Sequence, residues 1–312
     1  MMTFPGRRAL MFSCIAALGL LAPRMAAAAP MTYIALGDSL TFGIGSSETN
    51  TQFSNGDRGY VKPFADALAA YNGGVRPNLI NLAVAGSTTT SFFEGGGGIV
   101  SPLATLLNTN YSDITTTQNS LLLTTIAGEK AAGREIGHVT ITLGSNDLFA
   151  MAADPAFALA SDAQKAVILA QTLQTVATRI STLLVELEAL APAAHVLLLG
   201  TYNPYPAVPG HPIAGLAGVA ISELNKVIEG LAAGFEVSYV DIYTPFVGNE
   251  AAYTYIASSG TDFNVHPNPV GYAVIAGQVT VAAAPEPSSL VLLGTGLLGV
   301  LGFAWRRGSA AA

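Results

Sequence analysis

Five short apolar runs, each closed by a polar turn and separated from the next by a helix-length stretch, constrain this sequence more than any other feature. They lie at residues 33–36, 79–84, 138–143, 195–199 and 236–241. Helical patterns fall between and after them, at 60–71, 162–190, 216–232 and 270–282. The longest spaces Val167, Leu169, Leu173, Val176, Ile180, Leu183 and Leu184 along one apolar face. Strands that alternate with helices imply a parallel sheet covered on both faces, because each parallel pairing needs a crossover. No linker interrupts residues 30–284, so that stretch reads as one domain with one sizeable core.

Both ends of the chain stand apart from this pattern. Arg7 and Arg8 precede an apolar run at 9–21, and the alanines at 26–29 offer a cleavage site, so residues 1–28 are expected to be a secretory signal peptide. An N-terminal anchor is the alternative, but the run is shorter than the roughly 20 residues a spanning helix needs. The only cysteine, Cys14, lies inside this leader. The exported domain would then have no disulfide and no cysteine-based zinc site, and its core must hold it together.

At the other end, Pro285-Glu286-Pro287 opens an apolar stretch at 288–305, followed at once by Arg306 and Arg307. The stretch is near the minimum for a transmembrane helix, and the arginine pair fits a cytoplasmic flank. This pattern, at 285–307, resembles the PEP-type C-terminal sorting signal, PEP-CTERM. The resemblance implies a sorting enzyme as partner. The protein would be tethered to the inner membrane by its tail before sorting, and then reach the cell surface or an exopolysaccharide matrix. A plain membrane anchor is the alternative. Gly294, Gly296 and Gly299 also fit a dinucleotide fingerprint, but no acidic residue follows Glu286, so nucleotide binding is not expected there.

Charge narrows the partners. Of 13 Lys or Arg and 20 Asp or Glu in the chain, residues 30–284 hold 8 and 19, a net of −11. Such an acidic surface argues against nucleic acid, whose phosphates are bound by Lys and Arg.

The chemistry gathers where the apolar runs end. Ser39, in Gly37-Asp38-Ser39-Leu40, follows the first run, where open α/β sheets keep their ligand crevice. It is either a nucleophile or the cap of the following helix. Gly86 follows the second run, and a glycine there lets a backbone N–H approach an oxyanion. Asn146, in Gly144-Ser-Asn-Asp147, follows the third and offers a neutral amide donor. Of the four histidines, His138 and His195 open strands at the far edge of the sheet, and His211 sits in an exposed Pro-Gly loop. His266, in Asp262-Phe-Asn-Val-His-Pro267 before the last helix, is the candidate base. There is no G-x-S-x-G, so a nucleophile elbow of the α/β-hydrolase type is not expected. The loops at 43–58 and 87–98, rich in Ser, Thr, Asn and Gly, read as irregular edges of the same crevice.

Taken in order, these blocks resemble those of the SGNH, or GDSL, hydrolase family across residues 33–278. The resemblance implies a three-layer α/β/α sandwich around a five-stranded parallel, flavodoxin-like sheet. It implies Ser39 as nucleophile and His266 as general base. The Ser39 N–H, the Gly86 N–H and the Asn146 side chain would form the oxyanion hole. Asp38 and Asp147 would be turn and helix-start residues. No cofactor or metal is implied. The family places its acid three residues before the base, where this chain has Phe263; Asp262 is four before. Asp262 is the expected acid, with Asn264 and Asp241 as weaker orienting groups. The function implied is an exported serine esterase acting on an acyl-ester substrate: a lipid, a small ester or a polysaccharide O-acyl group, the sorting tail tilting toward the last. The alternatives are an inactive matrix-binding protein on the same fold and an acyltransferase at the same site.

Overall fold

The structure is a computed structural model that describes residues 31–46, 56–95, 110, 116–258 and 264–284. The leader at 1–28 and the tail at 285–307 lie outside these residues. Among the described residues, no helix is long and apolar enough to cross a membrane.

In chain order the described elements are β1 (Met31–Gly37), α1 (Ser39–Phe42), α2 (Val61–Tyr71), β2 (Asn78–Asn81), α3 (Thr89–Glu94), α4 (Gln118–Ala131), β3 (Glu135–Thr142), α5 (Ser145–Ala153), α6 (Pro155–Leu159), α7 (Asp162–Leu190), β4 (His195–Leu199), α8 (Ala214–Gly234), β5 (Ser238–Val240), α9 (Glu250–Tyr253) and α10 (Pro269–Ala283). The strands form one sheet in the order β2-β1-β3-β4-β5, with every pairing parallel. This is the five-stranded, three-layer architecture expected from the alternation of runs.

The layers follow from strand periodicity. Along β1, Tyr33 and Ala35 pack to one side with Phe64 and Leu68 of α2 and Ile275 and Val279 of α10. Ile34 and Leu36 pack to the other side with Leu122 and Ile126 of α4, Val176 and Ile180 of α7, and Leu224 and Ile228 of α8. Both strand faces are covered, so the runs are apolar throughout rather than alternating. Each such fully buried aliphatic or aromatic side chain contributes roughly 1.5–3 kcal/mol.

The structure corrects several details. The apolar run at 236–241 yields a shorter β5, because Glu236 takes a left-handed φ of 55° and the Val237 N–H bonds Ala232 O at 2.9 Å, closing the end of α8. β2 ends at Asn81, yet the chain still follows β1: the N–H groups of Leu82 and Val84 donate to Ala35 O at 2.8 Å and Gly37 O at 3.1 Å. Part of the expected loop at 87–98 is helix α3, begun by a reciprocal cap between Thr88 and Ser91. On α7, Val167 is 56% exposed, while Val176, Ile180, Leu183 and Leu184 are buried as the spacing implies and Leu187 extends that face. His211 is half-buried, its ring 5.1 Å from that of Tyr205.

Candidate active site

The carboxyl end of β1 is built on a glycine that no other residue replaces. Gly37 has a φ of 134°, and a Cβ there would lie 2.2 Å from Thr142 O. The close approach lets the Asp38 N–H donate to Thr142 O at 3.1 Å, drawing the end of β1 onto β3. Asp38 then caps α1, accepting from the Leu40 N–H at 3.0 Å. The same carboxylate accepts from Thr142 Oγ1 at 3.1 Å, Ser145 Oγ at 2.9 Å and Asn146 Nδ2 at 3.4 Å. One buried group thus ties the start of α1 to the start of α5. Burial pushes its pKa up to about 6, partly offset by these donors.

Beneath Asp38 runs a chain of buried hydroxyls. Thr142 Oγ1 meets Thr41 Oγ1 at 2.8 Å, Thr41 meets Tyr60 OH at 2.7 Å, and Tyr60 donates to Thr140 Oγ1 at 3.1 Å, which also meets Tyr33 OH at 2.8 Å. Each polar group at the floor of the site therefore has a partner, as burial requires.

Ser39 is the first residue of α1 and is half-buried. Gly86 sits in the turn beyond β2 with a φ of 80°. Asn146 is the second residue of α5, and its Nδ2 donates to Ser87 O at 3.0 Å as well as to Asp38. The shorter bond fixes the amide against the Gly86 turn, and the longer is the weaker of the two. Asp147 faces away, accepting from the Thr89 N–H and Oγ1 at 2.9 and 2.7 Å and so joining α5 to α3.

His266 arrives from the other side. A bridge between Thr254 and Pro267 fixes its segment, with the Tyr255 N–H donating to His266 O at 3.1 Å and Tyr202 OH to Val265 O at 2.7 Å. Tyr272 OH and Tyr255 OH donate in turn to Ile44 O at 2.7 Å and Gly45 O at 3.1 Å, pinning the turn after α1 to the histidine side. The His266 imidazole Nδ1 lies 2.7 Å from Asn264 Oδ1, which also accepts the His266 N–H at 3.1 Å. An amide oxygen only accepts, so Nδ1 carries the proton and Nε2 is left with its lone pair. Burial lowers the His266 pKa to about 4.

Ser39, Gly86, Asn146 and His266 line a single cavity of about 560 Å³ at the carboxyl edge of the sheet. No hydrogen bond joins Ser39 to His266 among the described residues. The expected acid, Asp262, lies outside the described residues. Asn264, expected as a weaker orienting group, is the one in contact with the ring. Asp241 instead accepts from the Tyr243 and Thr244 N–H groups at 2.8 and 3.0 Å, a turn cap. His138, His195 and His211 do not line the cavity. Among the described residues, no group of three or more His, Cys, Asp and Glu side chains is placed to hold a metal ion. Sequence reasoning missed Tyr202, whose hydroxyl holds the base segment; nothing local distinguishes it from any other core tyrosine.

Solved structures with this fold include a lipase from a goat rumen metagenome, 20% identical with a TM-score of 0.56 over 82% of this chain and 99% of that one. Phospholipase A1 from Streptomyces albidoflavus is 21% identical, with a TM-score of 0.52 over 81% and 98%. An acetylxylan esterase from Geobacillus stearothermophilus is 16% identical, with a TM-score of 0.50 over 84% and 98%. At these identities the likeness is one of fold. A comparison with curated proteins returns no match. Residues 283–307 match the PEP-CTERM protein-sorting motif, which marks the chain for export and sorting. Residues 35–274, which take in the carboxyl end of every strand and the four residues Ser39, Gly86, Asn146 and His266, match the model of the GDSL-like lipase/acylhydrolase family, and to that family this chain belongs.

Proposed function

We propose that this protein is an exported serine ester hydrolase in which Ser39 attacks the acyl carbon and His266 moves the proton. The observation that carries this reading is the convergence of Ser39, Gly86, Asn146 and His266 on one cavity, with His266 Nδ1 held by Asn264 so that Nε2 is the free basic nitrogen. In the first half-reaction Nε2 takes the Ser39 hydroxyl proton as Oγ bonds to the acyl carbon. The resulting oxyanion is stabilised by the N–H groups of Ser39 and Gly86 and by the Asn146 amide, whose longer bond to Asp38 is the one that gives way. Collapse expels the alcohol, which takes the proton from Nε2, and water then repeats the sequence on the acyl-serine.

The orienting group is Asn264, a neutral acceptor that fixes the imidazole tautomer without a charge. Asp262 remains the alternative orienting acid. The leader at 1–28 directs export. The tail at 285–307 holds the protein in the membrane until a sorting enzyme acts on it. A polysaccharide-matrix destination gains no support from the folded domain.

The test is Ser39→Ala with p-nitrophenyl esters. Hydrolysis should fall by roughly 10⁴-fold or more, with the circular dichroism spectrum unchanged, and a fluorophosphonate should label wild-type Ser39. Undiminished hydrolysis in the variant overturns the assignment. A folded wild-type protein that takes no label favours the inactive, binding reading instead.

A further inference from the structure

The cavity extends well past the groups that do the chemistry, and its far wall is apolar. From α5 come Leu148 and Met151, from the turn after β4 comes Tyr205, and from α8 come Ala217, Ala220 and Ile221. All six are buried, none more than 9% exposed. On α8 the lining positions recur at Leu216, Ala217, Ala220 and Ile221, with Ile213 just before the helix, the spacing of one helix face turned to the cavity. Among the described residues, the charged or titratable side chains on the lining are Asp38, Tyr202, Tyr205 and His266. Asp38 is committed to the capping contacts described above, and Tyr202 donates to Val265 O. A sugar ring needs several hydrogen-bonding groups around it, and this wall supplies few.

We infer that the wall formed by α5 and α8 is the subsite for an aliphatic acyl chain of about ten carbons, and that the preferred substrates are esters of medium-chain fatty acids rather than acetylated sugars. The inference rests on Ser39 being the nucleophile. At roughly 27 Å³ per close-packed methylene, ten carbons fill about half of the cavity and leave room for the carbonyl and the attacking groups. The acyl part, not the alcohol, is assigned to this buried wall. The acyl group stays bonded to Ser39 through both half-reactions, whereas the alcohol must depart between them. Ala217 and Ala220 set the depth, because any larger side chain at either position occupies the space the chain needs. This reverses the tilt toward polysaccharide acetyl groups drawn from the tail.

The experiment compares kcat/KM for p-nitrophenyl esters of two to sixteen acyl carbons, and for n-alkyl acetates of two to ten alcohol carbons. Each added acyl methylene should raise kcat/KM about threefold up to about ten carbons, and the alkyl acetates should show little dependence on length. Ala220→Phe should lower the C10 to C2 ratio by more than about tenfold. Ile221→Ala, which enlarges the wall, should move the optimum to longer chains, a gain that misfolding does not produce. A profile that is flat or best at C2, a dependence on alcohol length alone, or a C10 to C2 ratio unmoved by both substitutions overturns the inference. If no ester is cleaved and Ser39 takes no fluorophosphonate, the catalytic reading fails. The apolar subsite is then judged by binding of 11-dansylaminoundecanoic acid to Ser39→Ala: binding that is detectable and weakened by adding Ala220→Phe upholds the acyl-chain wall, and its absence overturns it.

Discussion

The two ends of the sheet each hold a histidine that burial pushes down to about 4, yet they differ in everything else. At the amino end, His138 on β3 lies beside His195 on β4, the rings 5.6 Å apart, and meets the edge of Phe64 at 6.0 Å. His195 Nε2 contacts Ser238 Oγ at 2.8 Å, and His138 Nδ1 is buried with no hydrogen-bond partner among the described residues. At the carboxyl end, His266 is held through Nδ1 by Asn264 and lines a cavity with Ser39. Burial is the main cause in both places, with the neighbouring His195 adding to the shift at His138. What separates them is position: strand ends deliver a hydroxyl, an amide and backbone donors to one edge and only packed side chains to the other. A displaced pKa therefore points to a site only when a reacting partner shares its space.

The comparison breaks most sharply at Asn146. Asn146→Ala should lower kcat on short esters by about 10²–10³-fold with KM nearly unchanged, as steady-state kinetics would report; an unchanged kcat removes Asn146 from the oxyanion site.

Asn264 comes next. Asn264→Ala should cost about 10²-fold in kcat/KM, less than the roughly 10⁴-fold that follows loss of a charged triad acid. Since burial holds His266 neutral down to about 4, the acid limb of the kcat/KM profile should lie below the ordinary histidine value. Asn264→Asp places a carboxylate against the ring, favours the imidazolium and should move that limb to higher pH. If Asp262→Asn abolishes activity while Asn264→Ala does not, the orienting role belongs to Asp262.

The smallest effect is expected at the amino end. His138→Leu removes an unpartnered buried nitrogen and should stabilise the fold by about 1 kcal/mol in chemical denaturation, with hydrolysis within about twofold of wild type. Its pH dependence carries a definite sign. A folded pKa of about 4 lies below the unfolded histidine value, so the unfolded chain takes the proton first as pH falls. The stability of neutral His138 is thus present above about 6.5 and is lost toward its folded pKa. The variant should show a flatter profile across that window, and an unchanged slope would show that His138 does not contribute to acid sensitivity.

Much of this was legible in the chain. Strands buried on both faces announce themselves as apolar runs, and α7 showed helical spacing. Helix α4 did not, because its buried positions Gln118, Leu122, Ile126 and Glu129 mix apolar with polar groups. Gln118 bonds both the N–H and the carbonyl of Gly37, at 2.7 and 3.0 Å, and Glu129 pairs with Arg134 at 2.6 Å. Only the fold supplies those partners, so the periodicity is hidden until they are known. Around the base, the chain offered Asn264 only as a weaker orienting group beside Asp262. Asn264 meets the ring because the backbone turns there to receive the His266 N–H on the same oxygen, and Asp262 lies outside the described residues.

The sequence by itself determined the five strands, the helices α2, α7, α8 and α10, the polar turns at the strand ends, and the residue types that reach them. These depend on local periodicity and on glycines such as Gly37, properties that neighbouring residues decide among themselves. Tertiary structure alone decided which turns share a cavity, that Asp38 binds both the Ser39 turn and the start of α5, and that Tyr202, Tyr255 and Tyr272 hold the base segment against the nucleophile turn. It also decided that small alanines of α8 face an apolar space beside Ser39. These contacts join residues up to 228 positions apart, and side chains that far apart meet only when burial of the two core layers packs the helices onto the sheet.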